Sequence, residues 1–75
     1  MTLNDVKINK SVKIVSINCS DSLKERLYDL GLIKNTIITP VFSSPLRDPI
    51  AYEFRGNIIA IRNSDAKKII VFFLD

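Results

Sequence analysis

The chain has 75 residues, a net charge of +3 and an apolar content of 47%, with one cysteine and no histidine. This length predicts one small domain over residues 1–75, and the apolar fraction excludes a disordered chain. No apolar run is long enough to span a bilayer and the start of the chain is charged, so we expect a soluble cytoplasmic protein without direct membrane insertion.

The first half of the chain predicts a strand, a helix and a second strand. Residues 11–18 are rich in β-branched side chains, which favours a strand. Ser22 and Glu25 have the spacing of a capping box, so we expect a helix of about two turns to begin there and to end at Gly31 in a left-handed C-cap. The helical spacing of its leucines indicates a core-facing stripe of Leu23, Leu27 and Leu30.

Residues 36–42 predict the second strand, which Asn35 precedes in a turn that tolerates positive φ. Pro40 donates no ladder hydrogen bond and therefore marks an edge or a bulge. Residues 43–49 contain two prolines and two serines and are interpreted as a loop.

Residues 50–62 alternate between apolar and polar side chains around a Gly56-Asn57 turn, which predicts a type II′ hairpin. This register pairs Phe54 with Ile59 and places Glu53 diagonal to Arg62. The inward face is then Ile50, Tyr52, Phe54, Ile59 and Ile61.

A helical turn capped by Asn63 or Ser64 and a last strand over residues 69–74 complete the chain. Ile69, Val71 and Phe73 are expected to enter the core. The connections are too short for parallel crossovers. We therefore predict a mainly-β, small SH3-like antiparallel β-barrel of about five strands, with one short α-helix after the first strand and a helical turn before the last.

Two runs, "RLYDLGLIKNTIIT" and "SSPLRDPIAYEFRGNIIAIRNSDAKKIIV", together resemble the FeoA family of small ferrous iron transport proteins. The resemblance covers roughly residues 6–72. One departure is Lys34-Asn35, where the family usually has Pro-Gly. The matching positions are Arg26, Leu27, Leu30, Gly31, Leu32, Pro45, Leu46, Asp48, Pro49, Gly56, Ala60, Ile61, Arg62, Ala66, Ile69 and Val71.

The resemblance implies an SH3-like barrel and an accessory role in ferrous iron uptake. The implied partner is the cytoplasmic part of the membrane permease FeoB, which would place the chain at the inner face of the plasma membrane. The alternative is an SH3-like regulatory or peptide-binding module for another partner, as in the C-terminal domain of DtxR-type iron-dependent repressors.

The residues themselves show no catalytic constellation, so we expect no enzyme activity and no cofactor. Asp48 and Glu53 are weak candidates for a cation pair, and we assign no metal site; a small metal carrier would depend on weak carboxylate ligands. Cys19 is interpreted as a partly buried structural thiol rather than a redox residue or ligand. The scattered basic residues do not favour nucleic-acid binding.

Two candidate partner-binding sets follow from the pattern. The loop Leu46-Arg47-Asp48-Pro49 combines an apolar tip, both charge signs and a stiff backbone, and is either a docking tip or a turn that sets barrel geometry. The second set, Ile70, Phe72 and Leu74, points outward on the last strand. It is either covered by the helix or contacts a partner or a second copy in a weak homo-oligomer.

Overall fold

The computed structural model describes residues 1–74, which form one antiparallel sheet and three short helices. The sheet has five strands in the order β4-β3-β2-β1-β5, so β4 and β5 are its edges. In chain order the elements are a 3-10 helix Leu3–Asp5, β1 Val12–Ile17, α1 Asp21–Asp29, β2 Ile37–Ser43, β3 Ile50–Phe54, β4 Asn57–Ile61, α2 Asn63–Ala66 and β5 Ile69–Phe73. The mainly-β architecture is confirmed, and the 3-10 helix is an element that the sequence did not predict.

The core lies between the inner face of the sheet and α1. Leu27 is completely buried, and Leu23 and Leu30 pack against the same core, which confirms that this stripe of α1 is structural. All five strands contribute apolar side chains to the core. The fully buried residues include Leu3, Ile14, Leu32, Ile38, Tyr52 and Ile69. Burial of these side chains supplies the main driving force for folding.

The start of α1 differs from the predicted capping box. The N-cap is Ser20, and the backbone N–H of Lys24 donates to the Ser20 carbonyl at 2.9 Å. Ser22 therefore lies in the first turn and cannot cap it. Serine is favoured at either position, and Ser20 occupies the N-cap without a capping hydrogen bond from its side chain.

The end of α1 matches the prediction. Gly31 has a φ of +96°. Its N–H donates to the Tyr28 carbonyl, and the N–H of Leu32 donates to the Leu27 carbonyl, each at 2.9 Å. This pair of hydrogen bonds is a Schellman motif, which closes the helix and folds Leu32 back into the core.

The hairpin register is two residues from the predicted one. Phe54 pairs with Asn57 and Tyr52 with Ile59, so the loop is Arg55-Gly56. Both loop residues have positive φ, +50° and +79°, as a type I′ turn requires. A shift of two residues keeps every side chain on its predicted face, and the inward set is confirmed as core.

The predicted pairing of Glu53 with Arg62 is wrong as a consequence of this register. Glu53 lies opposite Ile58 on β4. Arg62 instead forms an ion pair with Asp65 of α2, at 3.5 Å between Nε and Oδ2.

The middle of β2 contains the predicted irregularity at Pro40. The register of β2 with β3 shifts between Pro40 and Phe42, which identifies a bulge. The carbonyl of Pro40 accepts a hydrogen bond from the N–H of Asn9, which ties the N-terminal segment to the sheet.

The last strand differs from the prediction at Phe73. Its side chain stays 47% exposed because it lies at the end of β5, opposite the first residue of β1. Phe72 and Leu74 are also exposed, so of the two alternatives for the outward set, coverage by α1 does not hold. The N-terminus lies beside β5 instead: Thr2 bridges to Ile70, and Val71 donates its N–H to the Met1 carbonyl.

Replacing Gly31 should destabilise the fold because of its backbone conformation. A side chain there is strained at a φ of +96°, and its Cβ would lie 2.8 Å from Cδ of Arg55. Gly56 also has positive φ, but no atom lies within 4 Å of an added Cβ. We expect Gly31→Val to lower the free energy of unfolding by about 1–3 kcal/mol from strain, with little further loss from the contact, because the exposed and flexible Arg55 side chain can move aside.

Gly56→Val is the matched control because it introduces the same strain without the contact. Urea denaturation of both variants measures the difference. Similar losses are expected at the two positions, and a much larger loss at Gly31 would contradict the expectation that the Arg55 side chain moves aside.

Candidate functional site

The loop before β3 is closed by its own hydrogen bonds. The N–H of Arg47 donates to the Ser44 carbonyl at 2.8 Å, and Arg47 adopts a φ of +63°. The hydroxyl of Ser44 accepts from the N–H of Asp48 at 3.1 Å and donates to the Asp48 carbonyl at 3.0 Å. The loop therefore has a defined backbone, as its prolines and serines suggested.

Asp48 and Arg47 attach this loop to the start of α2. The N–H of Asn63 donates to Oδ1 of Asp48 at 3.0 Å, and its Nδ2 donates to the Arg47 carbonyl at 2.9 Å. Arg62 occupies the N-cap and makes no side-chain capping bond, so the prediction that Asn63 or Ser64 caps this turn is wrong. The Asp48 carboxylate satisfies one of the free N–H groups of the first turn from outside the helix.

Leu46 has no such structural function. Its side chain is 88% exposed at the tip of the loop. Leu46 is thus a large apolar side chain that is free to contact a partner, and the side chains of Arg47 and Pro49 are exposed beside it. Asp48 is used to hold the loop in place.

The second predicted set is only partly accessible. Ile70 is half-buried beneath the N-terminal segment, whereas Phe72 and Leu74 are 46% and 43% exposed. The Nζ atom of Lys13 lies 5.8 Å from the centre of the Phe72 ring, a favourable cation–π geometry. No hydrogen bond or strand pairing within residues 1–74 joins this set to the Leu46 loop.

A cleft of about 580 Å³ lies beside the loop. Residues 4–8 of the N-terminal segment form one wall, and Ser43, Arg47, Ile50 and Asn63 form the other. The sequence did not reveal this cleft, because residues 1–10 carry no periodic pattern and their position depends on contacts with β2 and β5.

A second groove runs between α1 and the β4 edge. It consists of adjoining cavities of about 120 and 380 Å³ that share Leu23, Arg26, Arg62 and Asp65. Leu27, Ile59 and Ile61 add an apolar floor to the smaller cavity. Sequence reasoning missed this groove because it assigned the leucines to the core and the arginines to an ordinary surface.

Two ionisable side chains are held in the core and away from these cavities. Burial, followed by the nearby charge of Asp65, raises the pKa of the Cys19 thiol, and its Sγ donates to the Asp65 carbonyl at 3.5 Å. Burial also raises the pKa of Tyr52 to about 12. A thiol whose pKa is raised is poorly nucleophilic, which fits a structural role for Cys19.

The described residues hold no group of three or more cysteine, aspartate or glutamate side chains placed to bind a metal ion. Asp48 accepts a hydrogen bond from α2. Glu53 lies on the outer face of β3 between Thr39 and Ile58. The two carboxylates therefore have different surroundings. The exposed loop, the cleft and the groove described above are surfaces suited to binding.

The sequences of known proteins match almost the whole chain. The model of the FeoA domain family matches residues 1–72. A protein of Campylobacter jejuni called Putative Fe(2+) transport protein A is 35% identical over 92% of this chain and 93% of its own length. A fusion of Fe(2+) transport protein A with the Fe(2+) transporter FeoB, from Porphyromonas gingivalis, is 30% identical over 92% of this chain and 8% of its own length.

Solved structures have the same fold. The FeoA protein of Chlorobium tepidum superposes with a TM-score of 0.95 at 28% identity, covering 100% of this chain and 71% of the other. The FeoA of Stenotrophomonas maltophilia, described as an SH3 domain protein in complex with zinc, gives 0.83 at 26% identity, over 96% and 89% of the two chains. The IdeR of T. acidophilum gives 0.80 at 20% identity over 97% and 33%, a likeness of fold alone.

In residues 1–74 no helix is long and apolar enough to cross a lipid bilayer.

Asp48 and Leu46 should separate stability from surface function. We expect Asp48→Ala to lower the free energy of unfolding by about 0.5–2 kcal/mol, because it removes the acceptor of the Asn63 N–H. Leu46→Ala should change it by no more than about 0.5 kcal/mol, because the side chain is exposed. Thermal unfolding followed by circular dichroism measures both, and an Asp48→Ala variant as stable as the parent would contradict the structural role of the carboxylate.

Proposed function

The chain belongs to the FeoA domain family of ferrous iron transport proteins, and on that basis we propose that it is an accessory protein of ferrous iron uptake. It binds the cytoplasmic part of a FeoB-type permease and modulates transport. In this proposal it is peripheral at the inner face of the membrane through its partner.

The fused relative carries the argument for the partner. In the Porphyromonas gingivalis protein, a segment similar to this chain is joined covalently to FeoB. Fusion raises the effective concentration of two modules that bind each other. Two separate chains lack that gain and therefore need a specific interface to associate. A small protein that offers exposed apolar side chains on a rigid scaffold suits such an interface.

The chemistry of the described residues favours action by binding rather than by catalysis. Cys19 and Tyr52 are buried groups of raised pKa, which makes both of them poor nucleophiles. We therefore propose that the chain is not an enzyme and changes the permease through contact alone.

The Leu46 loop is the docking tip that we propose first. Its backbone is held by Ser44 and by Asn63, so little conformational entropy is lost when the exposed Leu46 side chain enters a pocket of the partner. The exposed pair Phe72 and Leu74, with Ile70 beneath the N-terminal segment, is the second candidate surface.

Complementation of a deletion strain tests the function and the surface together. Loss of the chain should impair uptake of labelled Fe²⁺ under anaerobic, iron-limited conditions, and the wild-type chain should restore it. We expect Leu46→Glu to restore uptake poorly and to lose co-purification with the permease, because a charge would have to be desolvated at the interface. Phe72→Glu is the matched control for the second surface.

Unchanged uptake in the deletion strain would contradict the proposal. Loss of rescue by Phe72→Glu with full rescue by Leu46→Glu would instead assign docking to β5. A second candidate function, an SH3-like module for another regulatory partner, is suggested by the fold likeness to IdeR. It predicts co-purification of a protein other than FeoB.

A further inference from the structure

The outer edge of β4 is an unpaired strand edge. The pair that flanks a two-residue hairpin loop is hydrogen-bonded, and bonded and non-bonded pairs then alternate along the strands. Asn57, Ile59 and Ile61 therefore bond to β3, whereas the backbone groups of Ile58 and Ala60 point away from it. These groups have no hydrogen-bond partner within residues 1–74, and both residues are exposed.

This edge opens into the groove beneath α1. Ile59 and Ile61 face the groove from β4, and Leu23 and Leu27 face it from α1. A strand added to β4 would place alternate side chains on that inner face. The smaller cavity, about 120 Å³, has room for one medium-sized apolar side chain there.

Two arginines stand where the groove widens. Arg26 of α1 and Arg62 at the end of β4 line both cavities, together with the carboxylate of Asp65. Arg62 contacts Asp65 through Nε at 3.5 Å, and its side chain is 78% exposed. Arg26 forms no ion pair with any residue in the described part of the chain. The groove thus retains an excess of positive charge that can meet a carboxylate with charge-assisted hydrogen bonds.

We infer that the β4 edge and the α1–β4 groove bind an extended segment of the permease's cytoplasmic part. That segment pairs with Ile58 and Ala60, inserts an apolar side chain under α1 and presents an aspartate or glutamate to Arg26 and Arg62. The inference rests on the proposed function and adds to it a surface and the chemistry of the bound segment.

Each feature of the site limits the occupant in a different way. Free backbone N–H and C=O groups on a strand edge select another polypeptide in extended conformation. The apolar floor selects a side chain that loses water on binding. The arginines select a negative charge, and the net charge of +3 favours approach of an acidic partner.

The groove is also continuous with the predicted docking tip. Arg62 immediately precedes Asn63. The backbone N–H of Asn63 donates to the Asp48 carboxylate, and its side-chain amide donates to the Arg47 carbonyl. A segment that runs along β4 towards Arg62 therefore ends beside the Leu46 loop, so one partner surface can contact both.

Binding of the intact chain to the purified cytoplasmic domain of the same organism's FeoB tests this inference by calorimetry. Arg26→Gln and Arg62→Gln should each weaken binding by roughly tenfold or more, as loss of a charge-assisted hydrogen bond does. The matched controls are Lys34→Gln and Lys67→Gln, which remove the same charge at exposed sites outside the groove. They should change the affinity by less than about threefold, as rim charges do.

Hydrogen exchange of the backbone gives a second readout that depends on no variant. The amides of Ile58 and Ala60 should exchange more slowly in the complex, because a paired strand protects them. Unchanged affinity of both arginine variants, or unprotected amides in a stable complex, would overturn the groove assignment and leave the proposed function intact.

Failure of the wild-type chain to bind the domain would overturn the proposed function and this inference with it. Protection of the same amides in the free chain at rising concentration, with dimers in sedimentation, would assign the edge to a second copy and overturn the inference alone.

Discussion

Contacts between the end of α1 and the β3–β4 turn hold α1 in place against the inner face of the sheet. Gly31 lacks a side chain where the Arg55 side chain passes, and Asn57 donates from Nδ2 to the Leu30 carbonyl at 3.3 Å. With the helix end held there, Leu27 is buried over the hairpin and Leu32 is turned into the core. The groove beside β4 exists because α1 is attached to the hairpin at its tip and lies beside the rest of it.

A second attachment joins the loop before β3 to α2. At the start of α2, the backbone N–H of Asn63 donates to the Asp48 carboxylate, and the Asn63 side-chain amide donates to the Arg47 carbonyl. The loop before β3 and the helix after β4 are therefore joined at the end of the sheet where Leu46 projects. The exposed Leu46 side chain and the basic groove lie on either side of this junction, and these are the two surfaces that we propose for binding.

The local parts of this structure were predictable, because they depend on near neighbours in the chain. Gly31 and Asn35 adopt the left-handed conformations expected of them, and the period-two pattern of β3 and β4 identified the correct inward face. Two of the local errors, at the start of α1 and at the hairpin loop, have one cause, which is that neighbouring residues carry equivalent signals. Ser20 and Ser22 can both cap a helix, and Gly56 can be the first or the second residue of a hairpin loop.

The site was less predictable because its contacts join distant parts of the chain. The loop was identified, but nothing in its composition indicates that Asp48 caps a turn that begins at Asn63. The groove likewise depends on Arg26 and Arg62, which lie on different elements and become neighbours only when α1 packs beside β4. The exposure of Phe73 depends on where the core ends, which a repeating apolar pattern does not show.

We infer that one contact face surrounds the start of α2 and extends along β4. Mapping of amide chemical shifts, with the labelled chain and increasing amounts of the permease's cytoplasmic domain, tests this claim most directly. We expect the largest changes at Leu46 and along residues 57–62, with Arg26 of α1 also affected. Changes confined to Phe72 and Leu74, at the opposite edge of the sheet, would contradict it.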